Sequence, residues 1–258
     1  MSANRTDAPG SGSIDRWPAG SIIRPDAGAP VLLVCEHASN RLPPDAGNLG
    51  CAPEVFDRHI AVDLGAAELT RALAERLDAT AVLCSTSRLY VDCNRSPADP
   101  EWIPARSDET VIPGNVSLDE MMRRHRAEQV FEPFHALVAA AVESCLARVG
   151  PPLIVPIHSM TPVMGSVMRP WEMAVIWGEA HPARAAIDAL RKQGIVVGNN
   201  EPYDGRVMHG HTFVQHAVPR KLPHFALEVR QDLIADAVSV EKWAAIIATV
   251  IQALVAER

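Results

Sequence analysis

The chain has 258 residues, 48% of them hydrophobic and 21% charged, which is enough to build one large α/β domain with a sizeable core. Its formal net charge of -7 and its lack of a basic stripe argue against nucleic acid as a partner, and no continuous apolar run approaches the roughly 20 residues that cross a membrane. The five cysteines are odd in number and form no C-x-x-C pair, which favours reduced thiols in a cytoplasmic protein and metal ligands other than thiolate.

The first elements are a flexible arm and a buried strand. Residues 1–27 are rich in Gly, Ser, Pro and Asp without periodicity, and predict an arm ahead of a single domain over residues 28–258. The apolar run at 31–35 then leads into His37. This pattern is typical of a buried parallel strand that opens into a loop, where α/β proteins collect reactive groups.

A long helix is predicted next, from Pro53 to about Leu77, on the helical spacing of its apolar residues. Within it, His59 and Asp63 are four residues apart and would share one side. They are either a solvated or capping pair, or a pair that faces the loop at His37.

Strand 80–84 is followed by the unusually polar stretch SRLYVDCNRSP, which holds Arg88, Asn94 and Arg95. This stretch is either an ordinary surface turn or an active-site loop. In the second case the Asn-Arg pair has the hydrogen-bond donors that a carboxylate needs, with Arg95 binding it bidentately.

A second strand that ends in histidine lies far downstream. A helix predicted over 117–149, with a capping box at its start and a kink at Pro133, precedes an apolar run at 153–157 and then His158. A single strand-end histidine is usually a capping or core residue. Two of them, with acidic residues in between, also fit a two-histidine metal site.

The last third of the chain adds a polar loop and an acidic strand. After a strand at 173–177 and a helix that begins near residue 182, the loop NNEPYDGRVMHGHTFVQHAV holds Arg206, His209 and His216. Strand 225–229 then carries Glu228 inside an apolar run, where a carboxylate must be paired or functional. Pairing with Arg230, on the same face of the strand, is the structural alternative.

Strands that alternate with helices, closed by an amphipathic helix at 243–255, predict a three-layer α/β/α sandwich around a mixed, mostly parallel sheet.

The motifs EHASNRLP, DLGA, SRLYVDCNRSP, HSMTP, GNNEPYDG and LPHFALEVRQDL, in this order from Val31 to Ile234, resemble the N-formylglutamate amidohydrolase family. That family is distantly similar to zinc carboxypeptidases, so the resemblance implies a phosphorylase/hydrolase-like fold. It also implies the functional order of those enzymes: a first zinc histidine, an Asn-Arg pair for the substrate carboxylate, a second zinc histidine and a late catalytic glutamate. The matching residues here are His37, Asn94-Arg95, His158 and Glu228.

Two departures from these patterns affect the site. Asn40 stands where the carboxypeptidase pattern has a glutamate ligand, so we expect Asp63 to be the acidic ligand, with Glu36, Asn40 and His59 as alternatives. The well-known deformylases of the family have His-Ser-Gly where this chain has His-Ala-Ser at 37–39. Amidase chemistry is therefore better supported than specificity for formylglutamate.

The resemblance implies an amidohydrolase with one zinc per chain, held by His37, Asp63 and His158. Glu228 would move the proton, and His216 or Arg206 would stabilise the oxyanion. The expected substrate is an N-formyl or other N-acyl amino acid such as N-formyl-L-glutamate, which would give formate and glutamate. The expected substrate-binding residues are Arg88, Asn94, Arg95, Ser39 and Asn40.

Three alternatives remain at this point. The first is an amidase for N-acyl amino acids or peptides of different specificity. The second is a non-catalytic ligand-binding member of the fold. The third is a hydrolase with Cys35 or Cys93 as its nucleophile.

Overall fold

A seven-stranded sheet forms the centre of the fold in the computed structural model, which describes residues 17–178, 180–207 and 210–257. Its strands are β1 (Gly20–Ile23), β2 (Val31–Cys35), β3 (Thr80–Cys84), β6 (Leu153–Met160), β9 (Met173–Ile176), β10 (Val197–Asn199) and β11 (Ala226–Arg230). Two short hairpins pair β4 (Arg106–Ser107) with β5 (Thr110–Val111), and β7 (Val163–Met164) with β8 (Val167–Met168).

The strand order across the sheet is β1-β3-β2-β6-β11-β9-β10. Strands β3, β2, β6 and β11 are parallel neighbours, whereas β1 and β9 run antiparallel to the neighbours that join them to this group. The central strands β2 and β6 are buried along their whole length and mostly apolar, as expected where both faces of a sheet are covered.

Helices cover both faces of the sheet. One face packs against α1 (Ala66–Leu77), α4 (Ala180–Lys192) and α5 (Ala237–Ala256), and the other against α3 (Glu132–Val149), which continues from α2 (Glu120–Arg126). The predicted three-layer α/β/α sandwich is confirmed.

The helix predicted over 53–77 is shorter than expected. A 3-10 turn occupies Pro53–Asp57, and α1 begins only at Ala66, after Gly65 with a φ of +78°. A β-carbon at Gly65 would lie 2.4 Å from the carbonyl oxygen of Ile234, so this close approach requires glycine. Asp63 consequently lies in the loop before α1, where its N–H donates to the carbonyl of His37 at 3.1 Å.

The helix predicted over 117–149 contains an irregularity just before its proline. Asp119, rather than Ser117, caps the start of α2 by accepting from the N–H of Met122 at 2.7 Å. A π-helical turn, Ala127–Phe131, joins α2 to α3. Because Pro133 has no N–H to donate, a local change in hydrogen-bond register beside it is physically reasonable.

The prediction of an arm over residues 1–27 is wrong for part of that segment. Gly20–Ile23 form β1 and pair with β3 in a continuous antiparallel register from Gly20↔Cys84 to Ile23↔Ala81. A short strand of this kind can join a sheet edge despite the Gly- and Pro-rich sequence around it, because pairing supplies the order that composition does not indicate. Residues 1–16 lie outside the described part of the chain.

Two helical stretches, 120–149 and α5, are long and apolar enough to cross a membrane by length and composition alone. In α5 the apolar side chains include Trp243, Ile247 and Ile251, which are buried against the rest of the fold. Packing of this kind accounts for the apolar composition of the helix.

Candidate active site

Three neighbouring parallel strands bring the strand-end polar residues together. His37 follows β2, and His158 lies in β6 directly opposite Glu228 of β11 in the parallel register. Residues that are opposite each other in register point to the same face of a sheet, here the face covered by α3. The backbone pairing therefore places Glu228 beside His158.

The centre of the site is a buried group formed by His37, Asp63 and His158. Nδ1 of His158 lies 2.8 Å and Nδ1 of His37 lies 3.2 Å from the same oxygen, Oδ2 of Asp63. One potential ligand atom from each residue lies within 4.8 Å of the others, so this buried group can bind a metal ion. Two imidazole nitrogens and a carboxylate oxygen are a donor set typical of catalytic zinc sites.

The opposite edge of each histidine ring faces a second carboxylate. Nε2 of His37 lies 2.9 Å from Oδ1 of Asp92, and Nε2 of His158 lies 3.5 Å from Oε2 of Glu36. Glu36 is buried, and its other oxygen accepts from the hydroxyl of Thr212 at 2.5 Å. A carboxylate on the outer side of a metal-binding histidine is common in metal sites, so these surroundings also fit a metal site.

The electrostatics of this group show strong mutual stabilisation. Burial and the charge of Arg88 oppose protonation of His37, but Asp92 and Asp63 prevail and raise its pKa to about 10. Although burial acts the other way, His37 and its neighbours hold the pKa values of Asp63 and Asp92 well below the usual range. Cationic surroundings therefore keep both carboxylates ionised, as ligands and their supporting residues must be.

Glu228 has a different environment. Burial raises its pKa to about 7, although the nearby His158 acts in the opposite direction. Among the described residues, no side chain donates a hydrogen bond to its carboxylate. The alternative pairing with Arg230 does not occur, because that guanidinium binds Asp232 at 2.8 Å. A carboxylate with a pKa near 7 in a cavity is suited to proton transfer.

These groups line a cavity of about 450 Å³, a size in the range of small-molecule sites. Arg88 reaches its wall and binds Asp92 at 2.8 Å and Asp63 at 3.4 Å. Asn94 and Arg95 also line the cavity, so the polar stretch after β3 is not an ordinary surface turn.

Two residues expected to stabilise an oxyanion lie outside the lining of this cavity. His216 is buried in a π-helical turn, with its Nε2 3.0 Å from Nδ1 of His135 and its ring stacked on that histidine. Burial lowers the pKa of His216 to about 4, so this histidine is neutral near pH 7. Arg206 is exposed and binds Asp204 at 2.7 Å. His209 is outside the described residues.

Three further residues named from the sequence are also held elsewhere. Ser39 accepts from the N–H of Arg41, and Asn40 donates to the carbonyl of Phe56 at 3.0 Å, so both bind backbone groups of the segment between β2 and α1. His59 pairs with Asp108 at 3.0 Å. Neither Asn40 nor His59 is therefore placed to supply a ligand beside His37.

The two cysteines considered as nucleophiles are buried and do not line the cavity. Burial raises the pKa of Cys35 well above its ordinary value. The hydrogen bond to Cys84, together with burial, does the same for Cys93. Buried thiols with raised pKa values are poor nucleophiles, which disfavours a cysteine hydrolase.

From the sequence, Asp92, Tyr203 and Thr212 have no site role, and Glu36 is only an alternative metal ligand. Asp92 lies within the polar cluster after β3, four residues beyond Arg88, and this spacing was the available signal. Tyr203 lines the cavity, and its hydroxyl accepts from Arg169 at 3.0 Å. The contact between Glu36 and Thr212 joins residues 176 positions apart, which no local pattern indicates.

Comparison with known proteins places this geometry in context. The family model described as N-formylglutamate amidohydrolase matches residues 29–235. A solved structure of a gene product from Agrobacterium tumefaciens is 33% identical, with a TM-score of 0.89 over 92% of this chain and 95% of that one. The N-formylglutamate amidohydrolase of Ralstonia eutropha is 18% identical, with a TM-score of 0.67 over 91% and 97% of the respective chains. No curated protein sequence matches significantly.

Proposed function

This chain belongs to the N-formylglutamate amidohydrolase family, and we propose that it is a metal-dependent hydrolase of N-formyl or other N-acyl amino acids, with N-formyl-L-glutamate as the first substrate to test. The observation that carries this proposal is the convergence of His37, Asp63 and His158 beside Glu228 in one cavity. Hydrolysis of the amide would release the acyl group as its acid, which is formate for an N-formyl substrate, together with the free amino acid.

We propose one zinc ion per chain, held by Nδ1 of His37, Nδ1 of His158 and the carboxylate of Asp63. Imidazole and carboxylate donors suit zinc, and three protein ligands are typical of a catalytic site. When bound there, the metal would supply Lewis-acid activation of water and of the amide carbonyl.

Glu228 is proposed as the general base and then the general acid. With a pKa of about 7, its carboxylate accepts a proton from the attacking water and can return that proton to the leaving amine. Its position opposite His158, with no competing cation bound to it among the described residues, supports this role.

Two arginines are proposed to bind the negative charges of the substrate and the transition state. Arg88 lies between Asp63 and Asp92 at the cavity wall, and its guanidinium is the group we now assign to oxyanion stabilisation in place of His216 or Arg206. Arg95, with Asn94, is proposed to bind the α-carboxylate of the substrate.

The state of the cysteines is the basis for proposing where in the cell the protein acts. All five cysteines are free and buried, and Sγ of Cys84 lies 3.8 Å from Sγ of Cys93 without a disulfide. Buried cysteines that form no C-x-x-C pair support a cytoplasmic location. A small acyl amino acid, rather than a macromolecule, is the proposed partner because the polar groups converge in a cavity.

The test is hydrolysis of N-formyl-L-glutamate, followed by formate release, by the zinc-loaded protein and its His158→Ala variant. We expect turnover by the wild type and loss of both zinc and turnover in the variant. A matched control is His125→Ala, because His125 is exposed, pairs with Asp45 and does not line the cavity. If the wild type binds acyl amino acids but hydrolyses none, the chain is a ligand-binding member of the fold and the proposal is wrong.

A further inference from the structure

One wall of the cavity is apolar. Ile176 at the end of β9 and Ala226 at the start of β11 are direct partners in the antiparallel register, and Phe213 adjoins them in the same hydrophobic cluster. All three line the cavity, with Val207 exposed at its rim. Ala226 and Glu228 are two residues apart on one strand, so this wall begins about 7 Å along the sheet from the proposed base.

The apolar wall lies on the same side of the cavity as the proposed site for the α-carboxylate. The N–H of His211 donates to the carbonyl of Asn94 at 3.1 Å, and the N–H of Thr212 lies 3.4 Å from its Oδ1. Phe213 follows immediately in the chain. Phe213 lines the same cavity as Asn94 and Arg95, so the apolar wall adjoins the proposed carboxylate site.

The charges around the cavity limit how many carboxylates it can bind. Among its described lining residues, Arg88 and Arg95 are the two permanent cations. Arg88 already binds Asp63 and Asp92. Arg95 lies 3.4 Å from Asp99 and 3.0 Å from Glu101, so a single substrate carboxylate would share its charge with two acids.

A second substrate carboxylate at the apolar wall would lie near Glu228. Among the described lining residues, it would find no arginine that is not already bound to an acid. Transfer of a carboxylate to such a place without a partner is costly, whereas an aliphatic group gains by leaving water. The apolar wall and the charges of the cavity thus both favour a substrate with an aliphatic side chain.

We infer that this enzyme prefers N-acyl amino acids with an uncharged, apolar side chain, which contacts Phe213, Ile176 and Ala226, over N-formyl-L-glutamate. This inference rests on the proposed function and specifies its substrate class. The α-carboxylate remains the one anionic group that the site recognises.

The test compares kcat/KM of the zinc-loaded protein for N-formyl-L-leucine, N-formyl-L-glutamine and N-formyl-L-glutamate, which have side chains of similar size. We expect leucine to be preferred over glutamate by about 10- to 100-fold, the equivalent of burying one such side chain, with glutamine in between. Equal values for the three, or a preference for glutamate, would overturn this inference and leave the amidase proposal standing. Hydrolysis of none of them would instead refute the proposed function.

A variant at the rim tests the location of the specificity. Val207→Arg adds a cation at a highly exposed position beside the apolar wall, so it should fold normally and raise kcat/KM for the glutamate substrate several-fold relative to leucine. Val238→Arg adds the same charge at a highly exposed position in α5 that does not line the cavity, and should leave the ratio unchanged. An unchanged ratio in Val207→Arg, or equal shifts in both variants, would contradict the placement of the side chain.

Discussion

Replacing Glu228 by Gln separates a catalytic role from a structural one. The change keeps the shape of the side chain but removes its ability to accept a proton, so kcat should fall by roughly 10²–10⁴-fold. Substrate KM should change little, because the α-carboxylate is assigned to Arg95 and Asn94. Zinc content should also persist, since Glu228 is not among the three proposed ligands.

The same substitution has a definite effect on stability in the metal-free protein. The rise of the Glu228 pKa from 4.5 to about 7 corresponds to a preference of roughly 3 kcal/mol for the neutral carboxyl in the folded state. This contribution is present below pH 4.5 and is lost as the pH rises through 7, because the folded chain must then hold a disfavoured charge. Glu228→Gln should therefore raise Tm by several degrees at pH 8.

Calorimetry on the metal-free protein, with metal analysis and steady-state kinetics on the zinc-loaded protein from the same preparation, gives the three readings. The matched control is Glu241→Gln, which removes an exposed ion pair with Arg76 and should leave kcat unchanged with little effect on Tm. A structural carboxylate would behave in the opposite way, with a lower Tm and near-normal turnover of the folded protein. That result would remove Glu228 from the mechanism.

Four further predictions concern the metal, the substrate and pH. His37→Ala and Asp63→Asn should each lower zinc affinity, measured by competition with a chromophoric chelator, and unchanged affinity would move the ligand assignment. Glu36→Gln should lower zinc affinity by about 10- to 100-fold, because Glu36 orients the proposed ligand His158. A fall in Tm with unchanged zinc affinity would show that Glu36 has only a structural role. Arg95→Lys should raise KM for an acyl amino acid but not for its carboxamide, and equal losses for both would contradict carboxylate binding. The wild-type kcat/KM should fall on acidification below about pH 7, as the base is protonated, and a flat profile from pH 5 to 8 would argue against that base.

The part of the site that could be predicted from sequence is the part built on strands. His37 and His158 follow apolar runs, and Glu228 lies in a late strand. Because parallel strands present their carboxyl ends at one edge of a sheet, this pattern predicts that the three residues lie close together. The structure brings these three residues together as the order of the motifs implied. Asp63 also lies in the buried group, and it was the family motif rather than the predicted helix that singled it out as the expected ligand.

The residues that could not be placed are those whose partners lie far away in sequence. His216 has a histidine partner in α3, His135, that no local pattern connects with it. Ser39 and Asn40 come soon after His37, yet their side chains bind backbone groups of Arg41 and Phe56, between β2 and α1. Sequence adjacency to a functional residue does not determine the direction in which a loop side chain points.

The central claim is that hydrolysis depends on a metal held by His37, Asp63 and His158. The most direct test measures metal content and amide hydrolysis on one preparation as purified, after chelation, and after addition of zinc. We predict about one zinc per chain, loss of activity with the metal, and recovery of both on adding zinc back. Full activity in protein stripped of metal would contradict the claim.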